Sequence, residues 1–463
     1  MKKIVTVVGL GISGAGAAHL LNKKGWEVKI TEGADTQEVR ERAKGLQKLR
    51  GIKIELGKHT KDFIAGSQLV ITSPGVKDNA IPLVWARELG IPVIDEIELG
   101  YRFCPCRIVA VTGTNGKSTT TTLIGEILKA AGLDAVVCGN IGLSFCEKVA
   151  HVKKNSVIIL EVSSFQLQRI DKFRPYVSVF LNITQNHLDR HKNFREYLDA
   201  KLNIFKNQKR SDWAILNYED KRLRHVNKHI RPRVLYFGDS PAPEILVEPP
   251  GFKAGAPSPL ESKHAFILGL KAEDLAGGLK GGHNVRNALA ATLVGNIFKI
   301  KPEVIKSVLK KFSGLEHRCE YVAEIDGIKF INDSKATTVD AAMWAIRSFD
   351  EPVILIAGGR DKGSDFTVLK GLIEEKVRAV VLIGEAKTKI RIQLLGSAPI
   401  REAQDLEGAV NLSFNLASEG DAVLLSPMCA SFDMFKNFEE RGGRFKKAVM
   451  ALKNKTADLC RIQ

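Results

Sequence analysis

The chain predicts an α/β protein of three domains. Three observations carry that expectation. Short apolar runs alternate with helical patterns along all 463 residues. Two glycine-rich turns, Gly9-Leu-Gly-Ile-Ser-Gly14 and Thr112-Gly-Thr-Asn-Gly-Lys-Ser-Thr-Thr120, each follow an apolar run and open a helix. A chain of this length also has residues enough for several hydrophobic cores.

The elements follow in order. Ile4-Val-Thr-Val-Val8 predicts a first strand, Ala15 to Lys24 a helix, and Glu27-Val-Lys-Ile-Thr31 a second strand ended by Glu32. Leu69-Val-Ile-Thr72 and Ile91-Pro-Val-Ile94 predict two more. The G-x-G-x-x-G between strand and helix, with Glu32 following 18 residues after Gly14, makes residues 1–97 a Rossmann-like domain. Those glycines explain a tight turn and a close phosphate approach. They serve NAD or a nucleotide diphosphate on a sugar equally, and Glu32 suits a ribose or a uracil edge. Thr72-Ser-Pro-Gly-Val76 brings a second loop to the same C-terminal sheet edge.

Residues 98–313 are expected to form a central P-loop ATPase-type domain. Strand Arg107-Ile-Val-Ala-Val111 runs into the phosphate loop. Its glycines free backbone N–H groups for phosphate oxygens, Lys117 supplies a point charge, and the Ser118 hydroxyl suits Mg²⁺. Val111 stands where the common P-loop has its first glycine, which narrows the class. Val157-Ile-Ile-Leu-Glu161 is a buried-type strand ending in an acid, so Glu161 is the first metal-ligand candidate. Val177 to Ile183 leads into a polar loop holding His187, which suits a second metal ion or a transferring phosphate. Pro241 to Ser262 predicts an irregular insertion, and Asn284 lies near the start of a helix opened by Gly281-Gly-His. Residues 314–463 predict a C-terminal Rossmann-like α/β domain, with strands at Lys329–Asn332, Val353–Ala357, Ala379–Ile383 and Ala422–Leu425.

Composition excludes several classes. Hydrophobic content is 44%, charged content 26%, and no apolar run is long enough to span a bilayer. The start reads as a strand rather than a signal peptide. Seven cysteines lack any C-x-x-C spacing and read as reduced cytosolic thiols, with Cys104-Pro-Cys106 an incidental pair. The net charge of +17 is spread along the chain and aromatic content is only 7%, so nucleic acid is not an expected partner; small anionic ligands are.

Six strings occur in order: Gly113-Thr-Asn-Gly-Lys-Ser-Thr119, Glu161-Val-Ser-Ser-Phe-Gln166, Asn182-Ile-Thr-Gln-Asn-His-Leu-Asp-Arg190, Gly282-His-Asn-Val-Arg-Asn287, Leu315-Glu-His-Arg318 and Asn332-Asp-Ser-Lys-Ala-Thr337. Together they resemble the Mur ligase family, and the run Leu425 to Gly442 resembles its D-glutamate-adding branch. The resemblance implies a cytoplasmic, monomeric, ATP-dependent ligase that uses Mg²⁺ to join D-glutamate to UDP-N-acetylmuramoyl-L-alanine through an acyl phosphate. It implies Lys117, His187 and Lys201 as catalytic residues. For ATP it implies Gly113, Thr114, Asn115, Gly116, Lys117, Ser118, Thr119, Asn284, Asn287, Arg318 and Asp333. The UDP-substrate would take Ser13, Glu32, Thr72, Pro74, Gly75, Asn140 and His187, and D-glutamate would take Thr337, Lys362, Ser431, Phe432 and Phe438. Ser118, Glu161, His187 and a carbamylated Lys201 would hold metal. Three positions depart from the family pattern: Gln185 and Asn186 replace acidic residues, and Glu32 an aspartate. The alternatives are another Mur ligase, a folylpolyglutamate synthetase-like ligase or, from another class, an NAD-dependent oxidoreductase.

Overall fold

In the computed structural model, residues 3–184, 191–238, 275, 282–312, 314–361 and 363–460 are described. Three sheets hold the strands. The first contains β1 (Ile4–Val8), β2 (Glu27–Glu32), β3 (Ile52–Leu56), β4 (Leu69–Thr72) and β5 (Val93–Asp95) in the order β3-β2-β1-β4-β5. The second contains β6 (Arg107–Thr112), β7 (Ala135–Gly139), β8 (Val157–Glu161), β9 (Val177–Phe180), β10 (Trp213–Asn217) and β11 (Arg233–Phe237) in the order β11-β10-β9-β6-β8-β7. Every pairing in these two sheets is parallel.

The third sheet contains β12 (Glu320–Ile325), β13 (Ile328–Asn332), β14 (Val353–Gly358), β15 (Val377–Ile383), β16 (Ile400–Glu402) and β17 (Ala422–Leu425), ordered β12-β13-β17-β14-β15-β16. Only β12 and β13 pair antiparallel, across a two-residue turn with a register shift at Tyr321/Ala323. Central strands such as β8 and β14 are buried along their whole length, as parallel strands covered on both faces must be.

The chain divides into two compact units. The first and second sheets and His283–Lys311 make one; the third sheet, within Phe312–Gln463, makes the other. In the first unit one hydrophobic cluster runs from Val7 and Leu20 through Phe145 and Cys146 to Ile158 and Phe180, so two sheets share a core. Residues 97 and 98, where the sequence divides the first two domains, lie within helix Glu96–Phe103. Its Glu98 carboxylate is buried and accepts the backbone N–H groups of Asp171, Lys172 and Phe173, and Arg102 reaches its other oxygen at 2.9 Å. A buried carboxylate needs such donors.

The first helix runs from Ile12 to Lys23 rather than from Ala15, because the turn closes as soon as Gly11 has passed. The fifth strand starts at Val93 because Pro92 has no N–H for the ladder, although its carbonyl accepts from Val70. The insertion expected at Pro241 to Ser262 lies outside the described residues.

Candidate active site

In both sheets of the first unit the glycine loops sit where strand order reverses, the place where open α/β sheets bind ligands. The first loop is held tightly. A Cβ on Gly14 would lie 1.9 Å from the Gly9 carbonyl oxygen, so only glycine lets the helix approach the strand here. Ser73 Oγ donates to the Gly9 carbonyl at 3.1 Å, joining this loop to the one that follows buried Thr72 at the end of β4 and carries half-buried Pro74 and exposed Gly75. Glu32 accepts the N–H groups of Leu10 at 2.7 Å and Ala34 at 2.9 Å, so its carboxylate braces the turn itself. Ser13 is half-buried on the first helix.

The second loop joins β6 to helix Lys117–Ala130, whose N-cap Gly116 has φ +81°. That backbone favours glycine, and a Cβ there would meet Asn287 Oδ1 at 2.3 Å. Gly116→Ala is therefore expected to lower ATP affinity at least tenfold and to cost about 1–3 kcal/mol of stability, read by nucleotide titration and thermal unfolding. Unchanged affinity would count against the loop as the phosphate cradle. Asn287 Nδ2 donates to Asn284 Oδ1 at 3.1 Å, so these two residues form a pair beside the loop.

The loop is clamped from the end of β9. Asn115 N–H donates to Asn182 Oδ1 at 2.9 Å, Asn182 Nδ2 returns a bond to the Asn115 carbonyl at 3.1 Å, and Thr114 N–H reaches the Asn182 carbonyl at 3.0 Å. Thr114 Oγ1 lies 3.1 Å from the Tyr197 hydroxyl. Lys117 Nζ donates to the carbonyls of Gly113 and Thr114 at 3.1 and 2.8 Å. Ser118 and Thr119 are buried in the first helical turn, where backbone N–H groups and the helix dipole favour an anion.

Lys201 comes from helix Phe194–Leu202 and is only 2% exposed. Its Nζ donates to the Gly113 carbonyl at 2.9 Å and Thr112 Oγ1 at 3.3 Å, and lies 5.0 Å from the Tyr197 ring centroid. Burial, with the Lys117 charge beside it, pushes this amine well below the usual lysine range; the Glu161 carboxylate opposes the shift. Lys201 thus lies within electrostatic reach of both Lys117 and Glu161.

Glu161, 2% exposed at the end of β8, accepts from Asn140 Nδ2 at 2.9 Å through Oε1. Its Oε2 is buried without a hydrogen-bond partner among the described residues. A carboxylate oxygen in that state calls for a cation, and an oxygen set of Glu161 and Ser118 beside a phosphate loop fits Mg²⁺. His187 and the neighbouring Gln185 and Asn186 lie outside the described residues.

In the second unit Asp333 follows β13. Burial raises its carboxyl to about 6 against the pull of Arg318, and it accepts from Ser426 Oγ at 2.8 Å and Cys319 N–H at 3.2 Å. The next strand-end contacts were not singled out from the sequence. Buried Arg441 donates to Ser334 Oγ at 3.0 Å, the Ser334 carbonyl at 2.8 Å and the Cys429 carbonyl at 3.2 Å, tying the loop after β13 to the one after β17. Around it, Thr337 is half-buried, Ser431 is buried and Phe438 packs edge-on to His317 with ring centroids 6.2 Å apart. Phe432, which local sequence reads as a core aromatic, is 60% exposed. Lys362 lies outside the described residues.

Three family models match in succession: the Mur ligase MurD-like N-terminal domain at residues 3–95, the Mur ligase middle domain at 111–295 and the Mur ligase glutamate ligase domain at 317–429. The chain belongs to the Mur ligase family. Among curated Mur ligases, it is 43% identical over 461 residues to UDP-N-acetylmuramoylalanine–D-glutamate ligase of Caldicellulosiruptor bescii, covering 97% of this chain and 98% of that one. The enzyme of the same name from Koribacter versatilis is 40% identical over 447 residues, covering 96% and 97%. In fold the chain resembles the solved MurC of Thermotoga maritima, at TM-score 0.58 and 20% identity over 98% of this chain and all of that one. It also resembles Thermotoga maritima MurF solved with ADP, at TM-score 0.57 and 14% identity over 92% and 95%.

Among the Mur ligase residues expected from sequence, the structure brings Lys117, Ser118, Glu161, Lys201, Asn284 and Asn287 to one loop, and Arg318 with Asp333 to one strand end. Asn182 and Tyr197 were missed as individual residues. Asn182 stood inside a motif string, and that was its only signal.

Proposed function

We propose that this Mur ligase joins D-glutamate to UDP-N-acetylmuramoyl-L-alanine, converting ATP to ADP and phosphate, in cytoplasmic peptidoglycan precursor synthesis. The observation that carries the reading is near full-length identity of about two residues in five to several D-glutamate ligases, whose two substrates are in their names. The geometry agrees with it. A carboxylate becomes an electrophile only when its oxygen is made a good leaving group. Transfer of a γ-phosphoryl group to the alanyl carboxylate does that, and the amine of D-glutamate then attacks the acyl phosphate and expels phosphate.

In this reading the loop amides from Gly113 to Thr119 cradle the triphosphate and Lys117 turns from its own carbonyls to the transferring group. Glu161 and Ser118 would hold Mg²⁺, which offsets the charge of crowded phosphates. His187 and Lys201, the latter as a carbamate, would serve a second ion. Carbamylation turns a basic nitrogen into an anionic oxygen ligand, and it requires the neutral amine that burial favours at Lys201. Asn284 and Asn287 beside the loop, and Arg318 and Asp333 in the second unit, would hold adenine, phosphate and ribose. Ser13, Glu32, Thr72, Pro74, Gly75 and Asn140 would line the uridine-diphosphate sugar, and Thr337, Lys362, Ser431, Phe432 and Phe438 the incoming amino acid.

One chain carries every residue of this scheme, so a monomer is the working unit. Among the described residues no helix is long and apolar enough to cross a membrane. Phosphate release with UDP-N-acetylmuramoyl-L-alanine and Mg-ATP is expected to depend on D-glutamate, with L-alanine, L-lysine and diaminopimelate giving less than about 1% of that rate. Such a ratio corresponds to about 2.7 kcal/mol of discrimination. Release driven by UDP-N-acetylmuramate and L-alanine would overturn the assignment. The NAD-dependent alternative predicts NADH binding, which equilibrium titration should fail to detect.

A further inference from the structure

Cys104 and Cys106 are brought together by the fold in a way their spacing alone did not promise. Cys104 ends helix Glu96–Phe103, Cys106 precedes β6, and their sulfurs lie 3.6 Å apart with Pro105 between them. Both are half-buried thiols on the wall of a cavity of about 570 Å³, the size of a small-molecule site. Tyr101, Arg107, Lys172 and Arg174 line the same space. Arg174 is engaged by Asp212 at 2.7 Å, and Arg102 by Glu98 and Asp171. Among the described residues Arg107 has no carboxylate partner and stacks over the Tyr176 ring at 4.6 Å; Lys172 has none either, and both side chains are exposed. The cavity therefore presents two thiols under a cationic rim.

The other described thiols are different. Burial pushes those of Cys138, Cys146 and Cys319 well up, and that of Cys429 up to about 12. Cys104 alone among the described cysteines is shifted down, chiefly by the hydrogen bond it shares with the Cys106 thiol; the same sharing pushes the Cys106 thiol up. A thiol more acidic than usual with a second thiol in contact is the arrangement that thiol–disulfide exchange uses.

We propose that Cys104 and Cys106 form a reversible dithiol–disulfide couple that exchanges with carboxylate-bearing low-molecular-weight disulfides admitted under the Arg107 and Lys172 rim. The Cys104 thiolate attacks one sulfur of the small disulfide, that S–S bond breaks, and one small thiolate leaves and takes up the Cys104 proton. Cys106 then gives up its proton, attacks the Cys104 sulfur and expels the second small thiolate, which takes that proton. Two electrons pass from the protein dithiol to the small disulfide. The sulfurs must close from 3.6 Å to about 2.05 Å. The ring closed between residues two apart is small and Pro105 fixes one of its dihedrals, so the bond is strained and readily reduced. The site lies at the start of β6, roughly 20 Å of strand away from the phosphate loop at its other end.

The experiment uses the full chain equilibrated with glutathione disulfide and glutathione, alkylated, and digested with trypsin. Cleavage after Arg102 and Arg107 isolates both cysteines in Phe103–Arg107, apart from the other five. Under excess disulfide this peptide should lose both alkylation marks and keep no glutathione. Cys106→Ser should instead accumulate one glutathione on Cys104. Cystamine, a cationic disulfide, should react about fivefold more slowly than glutathione disulfide at low salt, the difference shrinking as salt is added. Two thiols that stay fully alkylatable, glutathione that persists on Cys104 in the unaltered chain, or cystamine that reacts as fast, would each overturn the proposal. Phosphate release by Cys106→Ser under reducing conditions should match the unaltered chain, which shows that the variant is folded.

Discussion

Replacing Lys201 by methionine is expected to lower D-glutamate-dependent phosphate release by on the order of 10⁴-fold, about 5.5 kcal/mol of transition-state stabilisation. Methionine keeps an unbranched apolar stem that ends where lysine's Cε does and lacks the amine, so the loss largely isolates the nitrogen's chemistry from the packing of the stem. The physical case rests on where the fold puts the amine: 2% exposed, bonded among the described residues to the Gly113 carbonyl and Thr112 Oγ1, and next to another lysine. Those surroundings penalise the ammonium ion and favour the neutral amine, the species that adds to CO₂. The same argument predicts the variant's stability. Because the folded-state pKa lies below 10.5, the unfolded chain binds the proton that the folded chain resists, and this residue's cost to stability shrinks as pH rises toward 10.5. Lys201→Met should therefore unfold at the same or a higher temperature than the unaltered chain. Its advantage should be greatest at low pH and vanish near pH 10. Activity within tenfold of the unaltered chain would end the carbamate reading, and a lower unfolding temperature at every pH would show that the amine is structural.

Glu161→Gln is the second large effect. It is expected to raise the Mg²⁺ concentration for half-maximal rate at least tenfold, about 1.4 kcal/mol or more, and to lower the rate at saturating Mg²⁺ by on the order of 10²-fold. Glutamine keeps an oxygen to accept from Asn140 Nδ2 and loses the negative charge at Oε2, which has no hydrogen bond among the described residues. In metal-free buffer the variant should be no less stable than the unaltered chain, since a buried anionic oxygen with no partner is a cost. The KM for D-glutamate should move less than about twofold if the residue acts through the metal. A Mg²⁺ dependence identical to that of the unaltered chain would remove Glu161 from the metal site.

Much of this site could be read in advance because its signals are local. A glycine turn between an apolar strand and a helix specifies a phosphate cradle within nine residues, Thr112 to Thr120, and an acid at the end of a buried strand marks Glu161 without reference to anything distant. The four strand-like runs expected in the last block match β13, β14, β15 and β17 for the same reason. Six strands, β3, β7, β10, β11, β12 and β16, were not read; all but β10 lie at a sheet edge. The alternating composition of β3, Ile-Lys-Ile-Glu-Leu, resembles an exposed segment unless a neighbouring strand is known to pair with it. The clamp residues were not read either. Asn182 acts on a residue 67 positions away, Tyr197 on one 83 away and Arg441 on one 107 away. No period or motif links such pairs.

The sequence by itself determined the α/β class, the two glycine loops, the family and the residue types available for phosphate and metal, because these depend on short-range patterns of backbone freedom and apolar periodicity. The tertiary structure decided what those residues are chemically. Read along the chain, Lys201 is a surface lysine on a helix, Glu161 an acid at a strand end and Cys104 and Cys106 two scattered thiols. Folding buries the first beside Lys117, leaves Oε2 of the second without a hydrogen bond among the described residues and brings the last two within 3.6 Å. Proton affinity and nucleophilicity follow from solvation and neighbouring charge. Both arise only when distant segments pack together.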